Sequence, residues 1–301
     1  MKIFITGATG YIGFHVACAL RRAGHEVWGL VRRPEKASIL VHNEIHPVIG
    51  SMERPESYQA DAAACAVLVH AAQDQRGDTV GLDRRTVETL ISLGGQGSQP
   101  KTLLYTSGVW IYGDTGRRLV DETTPLAPVP LVAWRPPIEQ AVLNASGVRP
   151  VVIRPGCVYG RQGGLTGLWF DGAVRQREVT VVGDGNNRWT MIHVDDLADG
   201  YVRVIESGAY GEIFNFTDRS RATVAEMARA ASRAAGCDGE VRFVPVAEAA
   251  KTMGGFADCL ALDQHVDSRK AVRVLGWQPR HGGFVDGVDL FFASWKAAHS
   301  E

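Results

Sequence analysis

The order of apolar and polar residues predicts short buried strands that alternate with helices. Residues 16–20 carry apolar side chains at helical spacing between the first two strands. The apolar runs that predict strands are residues 2–5, 26–31, 67–70, 102–106 and 151–154. Strands joined by helices form βαβ units. The chain is therefore expected to have an α/β fold with a doubly wound parallel sheet, which binds its ligand at the carboxyl ends of the strands.

A glycine-rich turn follows the first strand at once. Residues 6–13 read T-G-A-T-G-Y-I-G, with glycines at positions 7, 10 and 13. Glycines let the backbone approach a pyrophosphate, and the N-terminus of the next helix offers free N–H groups and a positive dipole end. A strand, a glycine turn and a helix in this order predict a dinucleotide site. The alternative interpretation is a tight turn without a ligand.

Composition excludes several classes of partner. The chain has 301 residues, 45% hydrophobic and 22% charged, with a formal net charge of −1. This balance predicts no attraction to nucleic acid or to an anionic membrane, and no apolar run is long enough to cross a bilayer. The first strand begins so early that no signal peptide is expected, which predicts a cytoplasmic protein. The five cysteines have no ligand spacing, so we expect reduced thiols and no metal site.

Several motifs together resemble the extended short-chain dehydrogenase/reductase superfamily, in its NAD(P)-dependent epimerase/dehydratase group. They are the glycine turn, V-H-A-A at 69–72, the segment 105–113, R-P-G-C-V-Y-G at 154–160, H-V-D-D-L-A at 193–198 and L-G-W-Q-P at 275–279. The resemblance implies an NAD(P)-binding Rossmann fold with a smaller substrate-covering region. It also implies cofactor contacts from Gly7, Thr9, Gly10, Tyr11, Ile12, Ser51, Met52, Ala71, Ala72, Thr106, Pro155, Gly156 and Val158.

The resemblance divides the chain into two regions. Residues 1–158 and 189–217 are expected to form the NADP-binding domain, into which the chain returns near residues 212–216. Residues 159–188 and 218–301 are expected to form the substrate-binding region. The resemblance also implies a homodimer through two helices, near residues 83–93 and 138–144. Because the segment 83–90 has few apolar positions, this dimer is only slightly favoured over a monomer.

The end of the second strand predicts the cofactor. NAD-preferring proteins usually carry an acid there, which binds the ribose hydroxyls. Here the strand ends at Val31 and continues with Arg32 and Arg33. Guanidinium groups bind phosphate through parallel hydrogen bonds, and no acid repels it. We therefore predict NADP(H) rather than NAD(H). The alternative is two solvated loop arginines.

The family's catalytic residues are missing. The resemblance implies a Ser or Thr near position 108, a Tyr and, four residues later, a Lys; no Tyr-x-x-x-Lys occurs in the chain. On the family register, Gly108 follows Ser107, Leu131 stands for the tyrosine and Arg135 for the lysine. Pro136 and Pro137 predict that residues 131–135 are extended and that the helix begins near Pro136. Arg135 is expected to contact the cofactor ribose, or else to be a surface arginine.

Tyr112 is the best candidate to replace the tyrosine, with Ser107, Tyr159 and His193 as other polar groups near the cleft. The alternative for Tyr112 is a packing aromatic whose hydroxyl bonds the backbone. His193 is expected to stabilise the fold, and Asp195 and Asp196 to cap a helix. We expect the substrate to contact Gln73, Trp110, Tyr112, Trp134, Trp169 and Trp189. Core packing is the alternative for at least two of the tryptophans. Trp189 stands where sugar-nucleotide members have an arginine, which counts against such a substrate.

These observations predict an atypical NADP(H)-dependent oxidoreductase. Its expected reaction is reduction of a polarised C=N, C=C or C=O bond of a small organic substrate. The catalytic residues are expected to be Tyr112, Ser107 and Arg135. Two alternatives stay open: a non-redox isomerase, lyase or cyclase in the same cleft, and a non-catalytic NADP(H)-binding regulator.

Overall fold

The fold is built on a seven-stranded parallel sheet. A computed structural model describes residues 1–74, 77–97 and 99–299. The strands are β1 (Lys2–Thr6), β2 (Glu26–Val31), β3 (His46–Ile49), β4 (Val67–His70), β5 (Lys101–Thr106), β6 (Leu119–Val120), β7 (Val148–Pro155), β8 (Cys157–Gly160), β9 (Gly163–Gly164), β10 (Thr180–Val182), β11 (Met191–His193), β12 (Glu212–Phe216), β13 (Arg242–Val244) and β14 (His265–Val266). The main sheet has the order β12-β7-β5-β4-β1-β2-β3. The predicted doubly wound parallel sheet is confirmed, and its order reverses beside β1, where such sheets bind ligands.

Helices cover both faces of this sheet. They are α1 (Tyr11–Arg22), α2 (Ala37–Val41), α3 (Gln59–Ala63), α4 (Thr79–Gly94), α5 (Arg135–Leu143), α6 (Gly167–Gln176), α7 (Val194–Ser207), α8 (Val224–Ala234), α9 (Val246–Met253), α10 (Phe256–Leu260), α11 (Arg269–Leu275) and α12 (Val288–His299). Side chains alternate along β1: Ile3 and Ile5 pack in one buried cluster and Phe4 in the other. Both faces are therefore buried, as a parallel sheet requires.

The later part of the chain builds a second apolar core beside the sheet. It gathers side chains from α6, α8 and α12 around Trp169, Phe170 and Phe291. Two small sheets, of order β10-β13 and β11-β8-β9, are separate from the main sheet and contribute side chains to this core. The strand β12 lies in the main sheet beside β7, as the return of the chain near residues 212–216 required.

The prediction that the segment before α5 is extended is wrong. Residues Pro130–Val132 form a 3₁₀ turn, and Trp134 has the helical angles φ −77° and ψ −18°. The helix begins at Arg135 itself, ahead of both prolines. Proline disfavours this conformation in the preceding residue without forbidding it. Pro136 and Pro137 lie in the first turn, where backbone N–H groups have no helical partner, so no hydrogen bond is lost.

Within the described ranges, no helix is long and apolar enough to cross a membrane.

Candidate active site

The turn after β1 has the shape of a phosphate cradle. Gly7 has φ +77°, and a Cβ there would lie 2.7 Å from the carbonyl oxygen of Ala71. A Cβ on Gly13 would overlap the carbonyl oxygen of Gly7. No side chain caps α1 at Gly10, so the first N–H groups of the helix point out of the turn. The close packing explains the three glycines, and the helix end suits an anion.

The predicted cofactor residues lie along the carboxyl ends of the strands, on both sides of the switch in strand order. The Met52 side chain is the exception, because it is buried in the cluster that contains Phe4 and Tyr58. The others follow β1 (Gly7, Thr9, Gly10, Tyr11, Ile12), β2 (Arg32, Arg33), β3 (Ser51) and β4 (Ala71, Ala72), lie at the ends of β5 (Thr106) and β7 (Pro155), or belong to the segment after β7 (Gly156, and Val158 in β8). This arrangement can hold an extended dinucleotide.

The two arginines after β2 differ in their surroundings. The Arg32 guanidinium forms an ion pair with Asp74, which follows β4 on the other side of the glycine turn. The Arg32 side chain is 48% exposed, and that of Asp74 is 8% exposed. The Arg33 side chain is 64% exposed, and its Nε lies 3.8 Å from the Glu35 carboxylate. Sequence analysis missed Asp74, the carboxylate that pairs with Arg32.

Arg135 is the buried cation of the cleft. Its Nη1 donates to the Thr106 carbonyl oxygen at 3.0 Å and its Nη2 to Gln73 Oε1 at 3.0 Å. The guanidinium carbon lies 4.4 Å from the centre of the Trp134 ring. Because Thr106 ends β5 and Gln73 follows β4, Arg135 lies at the edge of the sheet that carries the cofactor residues. It is not a surface arginine.

Ser107 carries a buried hydroxyl that has no partner. The residue is 7% exposed, and its Oγ makes no hydrogen bond with any described residue. Its backbone N–H donates to the Ile153 carbonyl oxygen at 2.7 Å, which holds Ser107 beside Thr106 and Arg135. Buried hydroxyl groups normally have partners. An orphaned one at the end of β5, beside an arginine, suits the electronegative atom of a ligand.

Tyr112 has a position that argues against proton transfer. It is 3% exposed, accepts a hydrogen bond from Arg154 Nη1 at 2.7 Å and donates to Asn215 Oδ1 at 3.0 Å. Burial raises the pKa of Tyr112, although Arg154 and Asn215 oppose the shift. Arg154 also forms a buried ion pair with Glu139 at 2.6 Å. The hydroxyl is thus part of a structural network, and we correct its assignment to the catalytic and substrate-binding residues.

The tryptophans separate into two groups. Trp169 and Trp189 stack in the second core with ring centres 5.0 Å apart, and the Trp189 indole donates to the Leu260 carbonyl oxygen. Both are nearly buried, so their assignment to the substrate is wrong, because the core needs their apolar area. Trp110 is half-buried against Phe256, and Trp134 is half-buried on Arg135. These two, with Gln73, stay candidates for substrate contact.

His193 belongs to a helix cap. Its Nδ1 accepts the Asp195 N–H at 3.2 Å, so His193, and not Asp195 or Asp196, caps α7. His193, Asp195 and His281 bring three potential metal ligands together. However, the two imidazole rings stack 3.5 Å apart at 13°. A metal ion lies in the plane of each imidazole that binds it, so nearly parallel stacked rings cannot share one ion. Tyr159 packs edge-on against the His193 ring, at the edge of the second core.

A buried network behind Arg135 was missed. Tyr105, Asp83 and His70 are all nearly inaccessible and hydrogen-bonded in series. Their signal in the sequence is weak. Asp83 lies at helical spacing from the apolar residues Val87 and Leu90, and this spacing predicts that its carboxylate is on the buried face of the helix.

Comparisons with known proteins identify the family and support the fold. The family model described as "NAD dependent epimerase/dehydratase family" matches residues 3–216. A ketoreductase of Stigmatella aurantiaca, named for 4-hydroxy-2-methyl-3-oxo-4-farnesyl-3,4-dihydroquinoline-1-oxide, is 29% identical over 72% of this chain and 68% of its own. The 3-diazoavenalumate denitrifying reductase of a Streptomyces species is 26% identical over 96% and 99%. Human epimerase family protein SDR39U1, solved with NADPH, covers 97% of this chain and 99% of its own with a TM-score of 0.80 and 22% identity.

Proposed function

The chain belongs to the NAD-dependent epimerase/dehydratase family, and from that premise we propose that it is an NADP(H)-dependent reductase of a small organic substrate. The reduced group is a polarised C=N, C=C or C=O bond. The observation that carries the proposal is the pair formed by the buried Arg135 cation and the unpartnered Ser107 hydroxyl, at the cofactor edge of the sheet. The names of the ketoreductase and the denitrifying reductase support reduction.

The residues present fit NADPH. The α1 N-terminus and the glycine turn would hold the pyrophosphate, Arg32 and Arg33 the 2′-phosphate, and Arg135 the nicotinamide ribose. When bound, NADPH supplies the hydride. The structure determined for SDR39U1 contains NADPH, which supports the choice of cofactor. Cytoplasmic location and a homodimer through α4 and α5 remain proposals.

Arg135 and Ser107 would stabilise the negative charge that develops in the reaction, and neither would act as a strong acid. A guanidinium keeps its proton at all ordinary pH values. It stabilises negative charge that develops on the acceptor, and the Ser107 hydroxyl donates a hydrogen bond to the same atom. Neither group replaces the acidic tyrosine of the family. We therefore expect substrates that are already electrophilic and that take their proton from water.

The test is NADPH consumption with a panel of imines, activated alkenes and carbonyl compounds. The expected result is transfer of deuterium from C4-deuterated NADPH to the product. Ser107→Ala should lower kcat by about 100-fold, the lower end of the range for a lost hydrogen-bond donor. The matched control is Ser207→Ala, which removes a hydroxyl at the C-terminus of α7, just before the amino end of β12 and so at the opposite edge of the sheet. Tight NADPH binding without any deuterium transfer across the panel would reject a reductase.

One alternative has its own observation. The missing Tyr-x-x-x-Lys also fits an isomerase, lyase or cyclase that keeps the dinucleotide as a structural part. Such an enzyme would convert substrate without net NADPH oxidation. Turnover that is equal with NADP⁺ and NADPH would favour it.

A further inference from the structure

The hydrogen-bond network behind Arg135 joins two buried charges that do not touch. Asp83 is 4% exposed and Arg135 is 9% exposed. The Tyr105 hydroxyl lies between them: it donates to Asp83 Oδ2 at 3.0 Å and accepts from Arg135 Nη1 at 3.4 Å. A buried charge without a counter-charge is strongly unfavourable. The Tyr105 hydroxyl thus bridges the Asp83 carboxylate and the Arg135 guanidinium.

The other side of Asp83 is fixed as well. His70 Nε2 lies 3.1 Å from Asp83 Oδ1, and His70 Nδ1 lies 2.6 Å from Thr6 Oγ1. Thr6 is fully buried and directly precedes the glycine turn. With both carboxylate oxygens engaged, Asp83 can hold the Tyr105 hydroxyl in one orientation. Burial raises the pKa of Tyr105 well above its ordinary value, so the hydroxyl keeps its proton.

We propose that Asp83 and Tyr105 are positioning residues, which hold the Arg135 guanidinium in place for the ribose of the cofactor. This inference rests on the proposed function, because the ribose contact belongs to it. The arginine side chain is long and has several rotamers, and Gln73, one of its acceptors, is exposed. Nη1 donates both to the Thr106 carbonyl oxygen at 3.0 Å and to the Tyr105 hydroxyl at 3.4 Å, and the contact with Tyr105 is the one that links the guanidinium to Asp83. Without Tyr105 and Asp83 the guanidinium would sample other rotamers toward the cleft.

The first experiment needs no cofactor. Phenylglyoxal modifies accessible arginines, and mass spectrometry of the peptides gives the rate for each site. Tyr105→Phe and Asp83→Asn should raise the rate at Arg135 at least about fivefold, with Arg33 in the same protein as the internal reference. Thr86→Val is the matched control, because it removes another buried hydrogen bond of α4, from Thr86 Oγ1 to the Leu82 carbonyl oxygen. An unchanged rate at Arg135 in folded Tyr105→Phe or Asp83→Asn protein would overturn the proposal.

The second experiment measures NADPH binding by nicotinamide fluorescence in a double-mutant cycle. Tyr105→Phe should raise Kd about tenfold, the effect of a lost hydrogen bond to a charged group. In the Arg135→Ala background the same change should alter Kd less than about twofold, because the residue it positions is gone. Equal losses in both backgrounds would mean a merely structural role and would overturn the proposal. If wild-type protein binds no NADPH, the proposed function fails, and the phenylglyoxal rates still decide whether Arg135 is positioned.

Discussion

Asp74→Asn should tighten NADPH binding, and Arg32→Ala should weaken it. The Arg32 guanidinium is ion-paired with Asp74, so a 2′-phosphate must share or replace that carboxylate. An Arg–phosphate hydrogen-bonded pair is worth about 1.5–3 kcal/mol, and a partly exposed ion pair about 0–1 kcal/mol. The difference predicts a loss of about 1–2 kcal/mol for Arg32→Ala, or about 5–30-fold in Kd. Removing the charge of Asp74 should gain up to about fivefold.

Arg33 gives a comparison within the same site. Its side chain is 64% exposed, so solvent and salt screen its charge, and Arg33→Ala should weaken NADPH less than about fivefold. NADH has no 2′-phosphate, and its Kd should change less than about twofold in all three variants. Arg175→Ala controls for net charge, because Arg175 pairs with Asp171 on the distant helix α6.

The assay is titration of nicotinamide fluorescence with both cofactors at two salt concentrations. Equal losses for NADPH and NADH in Arg32→Ala would refute phosphate recognition by this residue. An Asp74→Asn protein that binds NADPH more weakly would refute the competition between the carboxylate and the phosphate.

Three further predictions concern the surrounding structure. Tyr112→Phe should lower the free energy of unfolding by about 1–3 kcal/mol, because it removes the acceptor of the buried Arg154 N–H. The NADPH affinity of this variant should stay within about twofold of the wild-type value. A large loss of affinity in a protein of unchanged stability would contradict this prediction. Burial and the neighbouring His281 lower the pKa of His193 to about 4, so the unfolded chain binds more protons between about pH 4 and 6.5 and stability falls as the pH drops through this window. Urea unfolding should show a loss of about 2 kcal/mol from this group between pH 7 and 5, and His193→Asn, which keeps a capping oxygen, should reduce that slope. Gly13→Ala should weaken NADPH binding more than about tenfold, because the added Cβ overlaps the Gly7 carbonyl oxygen. Gly95→Ala is the control, because its Cβ makes no close contact and NADPH should bind normally. Unchanged affinity in Gly13→Ala would contradict the tight turn.

The edge strand β3 is partly exposed and was not predicted, whereas β1, β2, β4, β5 and β7 could be predicted because they are largely buried on both faces. Such strands appear as short continuous apolar runs, and β2 and β4 begin and end where the pattern predicted. The glycine turn was readable for a similar reason: only glycine fits where the backbone of Gly7 meets that of Ala71. These are local requirements, and each is visible within about ten residues of sequence.

The roles of the aromatic residues depend on partners far along the chain. Tyr112 bonds Arg154 and Asn215, which are 42 and 103 residues away. The stack of Trp169 on Trp189 forms only when α6 folds against the second core. No periodicity within one segment tells whether an aromatic side chain faces a cleft or a core. Likewise, the sequence around Arg32 does not predict its ion pair with Asp74, which lies 42 residues later.

Arg135 shows where the backbone argument from the sequence was incomplete. The register placed it at the lysine position, while the prolines after it suggested an extended entry. The helix nevertheless includes Arg135, because Pro136 and Pro137 remove two N–H groups that the first turn could not have satisfied. The unfavourable contact between Arg135 and Pro136 is offset by the hydrogen bonds of the guanidinium to Thr106 and Gln73. The chain is thus helical from Arg135 onward, and the Arg135 guanidinium is held beside the ends of β4 and β5.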